Sequence, residues 1–372
     1  MFFGSFNMII PELPNYLTSL GGEDYKGLII SLFTLTAGLS RPFSGKLADT
    51  IGRIPVMIFG AGVCFIIGIL YPLMGSITGF FLLRFFHGFS TGFKPTGTTA
   101  YVADIVPDSR RGEAMGILGM MGSLGMAGGP AIGGLIANKF GLDAMFYSSS
   151  FTAILSILIL IGMKETLAVK QPMKLSLLKI TWVDVYEPRV LVPSIVMLLT
   201  VISFGAILTI VPDYSEYLGV ENKGLFFTFF TIASLAVRII GGKASDKYGR
   251  RQILKLAALG MGVSMIGIGL STTPMQFFIS AIIFGLAVGL NTPSIFAWTI
   301  DLSDDKYRGR AMATVYIALE IGIGVGALLS GWLYSNQSDN FPLTFFICGG
   351  FAIAAFLYLV FLLPSKYRVK PI

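Results

Sequence analysis

Apolar residues run through this chain in blocks, each ended by charge or by glycine and proline. The blocks cover residues 1–20, 27–48, 54–74, 77–103, 112–137, 144–163, 191–212, 224–245, 252–272, 275–300, 309–335 and 341–363. Roughly 20 apolar residues in a helix span a bilayer, so the pattern predicts twelve transmembrane helices. The longest polar connection, 164–190, separates the sixth block from the seventh. It divides the chain into a six-helix bundle over 1–163, a linker over 164–190 and a second bundle over 191–372. Within the linker, Met173–Ile180 alternates Lys174 and Lys179 with leucines, an amphipathic stretch suited to a membrane surface. The linker is too short for a catalytic domain.

Composition agrees. Of 372 residues 54% are hydrophobic and 13% charged, against about 25% charged in soluble domains. That excludes an ordinary soluble enzyme, and the apolar content excludes disorder. The two cysteines, Cys64 and Cys348, lie inside apolar blocks and have no disulfide or metal spacing. One histidine, His87, cannot form a His-pair metal site. No glycine-rich loop ends in Lys-Ser or Lys-Thr, so no ATP engine is visible. The first residues lack the basic start and cleavage site of a signal peptide.

The net charge of +7 would suggest nucleic-acid binding in a soluble protein. Sorted by connection, the cations describe topology instead. Arg41, Lys46 and Arg53 follow the second block, and Arg110 and Arg111 the fourth. Lys164, Lys170, Lys174, Lys179 and Arg189 lie in the linker. Arg238, Lys243, Lys247, Arg250, Arg251 and Lys255 follow the eighth block, and Lys306, Arg308 and Arg310 the tenth. Lys366, Arg368 and Lys370 close the chain. Thus 22 of the 27 fall on one side, and only Lys26, Lys139 and Lys223 on the other. The excess of positive charge on cytoplasmic loops places both termini in the cytoplasm. No nucleic-acid partner is needed to explain it.

The chain also repeats itself. Shifted by 197 residues, Arg41, Gly45, Lys46, Asp49, Gly52 and Arg53 fall on Arg238, Gly242, Lys243, Asp246, Gly249 and Arg250. Gly88 and Gly92 fall on Gly285 and Gly289, Asp104 on Asp301, and Arg111-Gly112 on Arg308-Gly309. This is a duplicated six-helix unit. Six is even, so both copies share one orientation, a known transporter plan with its substrate site near mid-membrane.

On these residues the sequence resembles the major facilitator superfamily. The stretch from Gly45 through Asp49 and Gly52 to Arg53 matches the family's G-x-x-x-D-x-x-G-R signature, and Gly242, Asp246, Gly249 and Arg250 repeat it. The resemblance implies that Asp49 and Arg53, and more weakly Asp246 and Arg250, latch the cytoplasmic side in the outward-open state. The fifth block holds Gly125, Gly129, Pro130, Gly133 and Gly134, similar to the G-x-x-x-G-P-x-x-G-G motif of the family's drug/proton antiporters. The second copy lacks it, having Gly326-Ala327 where the first has Gly129-Pro130. Small residues let helices approach closely, and a proline inside a helix removes one backbone donor. Leu82–Gly88 resembles the antiporters' helix-4 motif, whose arginine is implicated in proton coupling. Pro11-Glu12-Leu13-Pro14 resembles the P-x-L-P that closes their first helix. The offset implies that the first helix begins before residue 1, so either a preceding cytoplasmic stretch is missing, which is the expectation here, or the first helix is short.

Ionisable groups inside membrane helices default to function. Arg84, His87, Thr91 and Lys94 lie within an ~80° sector of the fourth helix, at 100° per residue. A cationic stripe of this kind must face protein or water. One acid, Glu320, lies deep in an apolar block, the eleventh; its counterpart in the first copy is Ser123. A carboxyl in low dielectric holds its proton more tightly, so Glu320 suits proton coupling, anchoring of a cationic substrate, or a structural hydrogen bond. Arg84, His87 and Glu12 are the other coupling candidates, and Lys94 can bind an anion or oppose Glu320. Arg84, Lys94, Thr91, Asn7, Asn291, Trp298 and Glu320 are candidates for the substrate cavity.

The sequence therefore predicts an all-α membrane protein with two parallel six-helix repeats. Its expected activity is proton-coupled export of a small molecule from a bacterial inner membrane, by a monomer needing no cofactor beyond the proton. An uptake symporter or facilitator for a sugar or organic anion is the alternative. A non-transporting sensor or scaffold is a remoter one, and an enzyme the remotest.

Overall fold

A computed structural model describes residues 1–22, 25, 28–220, 225–335 and 337–362, leaving aside the side chains of Pro14, Val183 and Leu362. The helices are α1 (Phe2–Ile9), α2 (Leu13–Ser19), α3 (Leu28–Thr50), α4 (Arg53–Leu70), α5 (Ile77–Ile105), α6 (Arg111–Phe140) and α7 (Leu142–Ile161). After the linker's single turn α8 (Trp182–Val185) come α9 (Leu191–Tyr217), α10 (Leu225–Tyr248), α11 (Arg250–Gly269), α12 (Pro274–Leu302), α13 (Arg308–Tyr334) and α14 (Phe341–Leu357). No strand occurs among the described residues. The cations Lys26, Lys223, Lys366, Arg368 and Lys370 lie outside the described residues.

Eleven of the twelve predicted segments each hold one long helix. The first does not: α1 gives way to a 3₁₀ turn at Ile10–Glu12 before α2 resumes. Pro11 and Pro14 supply no backbone N–H and interrupt the ladder there. Nine helices among the described residues are long and apolar enough to cross a membrane. Besides the broken first segment, α3 and α5 are the ones left out. Arg41 and several hydroxyl and glycine positions dilute α3, and Arg84, His87 and Lys94 dilute α5. Several cations sorted with the connections lie inside helices: Arg41 and Lys46 in α3, and Arg238, Lys243 and Lys247 in α10, with Arg41 and Arg238 deepest, nine and ten residues before the helix ends.

The chain packs as two units. Unit 1 comprises Met1–Ile105, Met121–Glu187 and Asp304–Tyr316, and unit 2 comprises Val106–Met120, Pro188–Ser303 and Ile317–Ile372. The first residues of α6 thus count with unit 2, and those of α13 with unit 1. The duplication is visible in the packing. In unit 1, α3 packs on α5, α4 on α5 and on α7, and α1 on α7; in unit 2, α10 packs on α12, α11 on α12 and on α14, and α9 on α14. Shifting by 197 residues maps each pair onto its counterpart. In unit 2, Met261, Met265, Phe277, Phe284 and Phe345 anchor one large apolar core. In unit 1, Leu13, Tyr71, Phe80 and Phe146 anchor the main one.

The linker forms no amphipathic helix. Met173–Ile180 contains only a 3₁₀ turn at Leu175–Leu178, with Leu175 exposed and Leu177 packed against Leu47, Val56 and Phe93. Polar bonds pin it to unit 1: Lys46 Nζ donates to the Lys179 carbonyl at 2.8 Å, and Gln171 N to the Thr50 carbonyl at 2.9 Å.

Candidate functional site

The signature loops build two versions of one charged network. Gly52 and Gly249 cap α4 and α11 with φ of 126° and 89°, a region that strongly favours glycine, and the following arginine begins each helix. In unit 1, Asp49 accepts from the backbone N–H groups of Gly309 (2.6 Å) and Arg310 (2.8 Å) and pairs with Arg53 at 2.5 Å. The carboxylate therefore sits at the start of α13, where helical N–H groups lack partners and the dipole favours an anion. Arg53 turns to Asp104 at 3.1 Å, and Asp104 holds Arg308 at 2.6 Å.

Unit 2 repeats this residue for residue. Asp246 accepts from Gly112 N (2.8 Å) and Glu113 N (2.9 Å) at the start of α6 and pairs with Arg250. Arg250 reaches Asp301 at 2.8 Å, and Asp301 holds Arg111 at 3.1 Å. Gly45 and Gly242 permit the close approach. A Cβ on Gly45 would press on Gly309 and Ala313, and one on Gly242 on the Gly112 carbonyl. The first network is the more enclosed: Arg53 is 1% exposed and Asp104 11%, against 11% and 29% for Arg250 and Asp301. Such a network clamps a helix start by charge.

Further residues support the first network that the sequence did not single out. Glu165, in the linker, accepts from the N–H groups of Arg53 and Ile54, both at 3.0 Å, and so caps α4. Glu187 pairs with Arg310. Asp104, Asp301, Arg111 and Arg308 marked the repeat without being assigned a role; their constant offset was the available signal. Glu165 and Glu187 gave none, because their partners are more than a hundred residues away.

The cationic face of α5 points into protein. Arg84 is 1% exposed; its Nε donates to the Ile29 carbonyl at 2.9 Å and its guanidinium lies 4.6 Å from the Phe33 ring centroid. Buried His87 has Tyr71 Oη at 3.5 Å from Nδ1 and Cys64 Sγ at 3.4 Å from Nε2. Lys94 contacts Ser156 Oγ and lies 5.0 Å from the Phe2 ring. Buried Thr91 donates to the Gly88 carbonyl at 3.2 Å. The four share a face but meet different neighbours: Arg84 those on α3, His87 Cys64 of α4, Lys94 those on α7 and α1, and Thr91 its own helix.

The other candidates scatter. Asn7 is buried and donates to the Phe3 carbonyl at 2.7 Å. Asn291, also buried, donates to Thr200 Oγ1 at 2.9 Å, while its Oδ1 meets no protein partner. Trp298 is buried in α12. Glu12 is half-buried in the 3₁₀ turn, and Glu320 half-buried in α13. Lys94 belongs to unit 1 and Glu320 to unit 2. In α6, which continues through Pro130, Gly125, Gly129 and Gly133 face α1. A Cβ at each would strike Gly4 N, Gly4 O and the Met8 carbonyl respectively, whereas Gly134 faces open space.

The model of the Major Facilitator Superfamily matches residues 1–222 and again 194–372. The chain belongs to this superfamily. It is thus a multi-pass membrane transporter of the superfamily fold, and not an enzyme. Multidrug resistance protein MdtG of Escherichia coli is 26% identical over 370 residues, covering 95% of this chain and 90% of that one. Two solved superfamily structures share the fold. A human organic anion transporter, MFSD10 (TETRAN), superposes with TM-score 0.84 at 18% identity, over 96% of both chains. The proton:xylose symporter XylE superposes with TM-score 0.78 at 15% identity, over 98% of this chain and 93% of that one.

Proposed function

We propose that this transporter exports a small molecule in exchange for protons, by alternating access, as a monomer in a bacterial inner membrane with both termini cytoplasmic. The observation that carries export is the face of Gly125, Gly129 and Gly133 seated on α1, since these are the residues that resemble the antiporter motif. The multidrug resistance name of the MdtG relatives supports the same direction. The two charged networks then serve as latches on the cytoplasmic side, holding the starts of α13 and α6 until the transporter opens inward. Inward proton flow drives the cycle, with Glu320, Arg84, His87 and Glu12 as coupling candidates and no other cofactor. One charge falling through 100 mV releases about 2.3 kcal/mol, which sustains a gradient of roughly 50-fold for a neutral substrate.

A second reading, uptake of a sugar or organic anion, is favoured by the buried cations Arg84 and Lys94. Among the structural neighbours, XylE is a proton:xylose symporter and MFSD10 an organic anion transporter.

Reconstitution into liposomes carrying a pH-sensitive dye separates the two. Under an imposed pH gradient, a panel of cationic, neutral and anionic compounds is screened beside Glu320→Gln and Arg84→Ala. Export predicts that a compound discharges the gradient in the antiport direction and that Glu320→Gln stops it in folded protein. Movement of proton and compound in the same direction overturns export in favour of uptake.

A further inference from the structure

The duplication gives each network a third tier, and there the two copies differ. In unit 1, Arg41 of α3 is 3% exposed and its guanidinium stacks on the Tyr316 ring, 4.1 Å from the centroid. Tyr316 is fixed in turn by Thr99, hydroxyl to hydroxyl at 3.1 Å. Thr96 Oγ1 takes a hydrogen bond from Arg41 Nη1 at 3.2 Å. In unit 2 the corresponding arginine is Arg238 of α10, and the residue corresponding to Tyr316 is Gly119 of α6. Among the described residues no ring covers Arg238. Its Nη1 rests against Gly119, close enough that a Cβ there would collide with it, and its one hydrogen bond joins Nε to Ser234 Oγ on its own helix at 3.3 Å. No carboxylate among the described residues lies within ion-pair distance of Arg238, which is half-buried. Thus one copy covers its intrahelical arginine with an aromatic ring, and the other leaves the same charge without cover or counter-ion. An ionisable group inside a membrane helix with neither is a functional group by default.

We propose that Arg238, cradled by Gly119, binds the negative charge of a small amphipathic organic anion such as a carboxylate or sulfonate. A guanidinium offers planar paired donors that match such groups, and where unit 1 has the Tyr316 ring, unit 2 has only Gly119. Arg238 lies ten residues before the end of α10, ~15 Å along the axis at 1.5 Å per residue. This depth favours a solute over a lipid headgroup. The proposal goes beyond the exporter reading, since binding here requires neither proton coupling nor a direction of transport.

The test is equilibrium binding to the intact chain in phosphatidylcholine nanodiscs. Fluorescence titration compares dansylglycine, an aromatic carboxylate, with dansylamide, its neutral relative. Dansylglycine is expected to bind at least tenfold more tightly. Arg238→Gln should remove that preference and leave dansylamide unchanged, and Arg238→Lys should retain part of it. Gly119→Tyr, which rebuilds the cover seen in unit 1, should also remove it; the atom a new Cβ meets is the mobile tip of Arg238, so this variant tests the site even if Arg238→Gln fails to fold. Equal affinity of the wild type for both probes overturns the proposal, as does a preference that survives Gly119→Tyr. Loss of dansylglycine binding in nanodiscs containing phosphatidylglycerol assigns the site to a lipid headgroup and overturns the solute. Because no pH gradient is present, these results stand whether or not the liposome experiment finds antiport.

Discussion

Asp104 bridges two arginines from different helices, with Arg53 Nε at 3.1 Å from one carboxylate oxygen and Arg308 Nη1 at 2.6 Å from the other. It joins the signature loop to the start of α13, as Asp301 joins Arg250 to Arg111 in the second copy. The carboxylate between each pair of arginines offsets their mutual repulsion. Each bridging acid adds a second link beside the direct one, in which Asp49 and Asp246 accept from the backbone at the starts of α13 and α6.

The unequal enclosure of the two networks predicts unequal mutational costs. Asp49→Asn removes a charge that serves two helix N–H groups and a fully buried arginine. Charge-assisted hydrogen bonds are worth about 1.5–3 kcal/mol each, so a clear drop in melting temperature in detergent is expected, with transport reduced at least tenfold. Asp246→Asn, in the more exposed network, should cost less on both measures. A larger effect at Asp246 would show that burial does not rank the two.

Asp49, Arg53 and their repeats were legible in the sequence because a constant offset and a glycine-punctuated turn are local signals. The twelve segments were legible because apolar blocks are. Arg41 and Arg238 sort by charge with the cytoplasmic connections although both fall within their apolar blocks, because a count of cations does not say how deep in a helix each one sits. Tyr316 and Glu165 could not have been found. An aromatic ring in an apolar helix carries no mark of the arginine it will cover, and an acid in a basic linker none of the N–H groups it will cap. The start of α13 packing in unit 1 is likewise a long-range outcome to which periodicity is blind.

The linker clasp should open in acid. Burial raises the carboxyl of Asp184, but the Lys46 ammonium at 2.9 Å and the N–H and hydroxyl of Thr181 outweigh it and hold the group below its ordinary value. A depressed folded pKa stabilises above the unfolded value, about 3.9 for aspartate, and that stabilisation is lost as pH falls through the folded value. Amide hydrogen exchange at 178–184, corrected for its intrinsic pH dependence, should therefore show protection at pH 6 that falls away below pH 4. Asp184→Asn should remove the difference; a wild type equally protected at both pH values would contradict the clasp.

Arg84 separates a structural from a coupling role. Its partners are a carbonyl, a phenol and a ring, with no carboxylate in ion-pair range among the described residues. With no carboxylate partner to strand, an apolar side chain of similar length at this position leaves no uncompensated buried charge behind. Arg84→Met should thus fold and bind to membranes as the wild type does, yet lose proton-coupled transport. Coupled transport by Arg84→Met at the wild-type rate would leave the arginine without a role in coupling.

The glycine motif of α6 makes the sharpest demand, because its members are not equivalent in space. A methyl group on Gly129 would meet Gly4 O, and one on Gly133 the Met8 carbonyl; both are backbone atoms that move only if α1 moves. Alanine at either position should force α1 away from α6, costing about 1–3 kcal/mol as in overpacked cores. Gly134 and Gly128 have nothing within reach of a new Cβ, so alanine there should be neutral or slightly stabilising, since alanine favours a helix over glycine by about 1 kcal/mol. Four single variants, compared by melting temperature and by transport, decide the matter. If Gly133→Ala and Gly134→Ala behave alike, the motif does not work through contact with α1. If Gly133→Ala melts lower while Gly134→Ala melts normally but loses transport, Gly134 has a separate task, and the packing face explains only part of the motif.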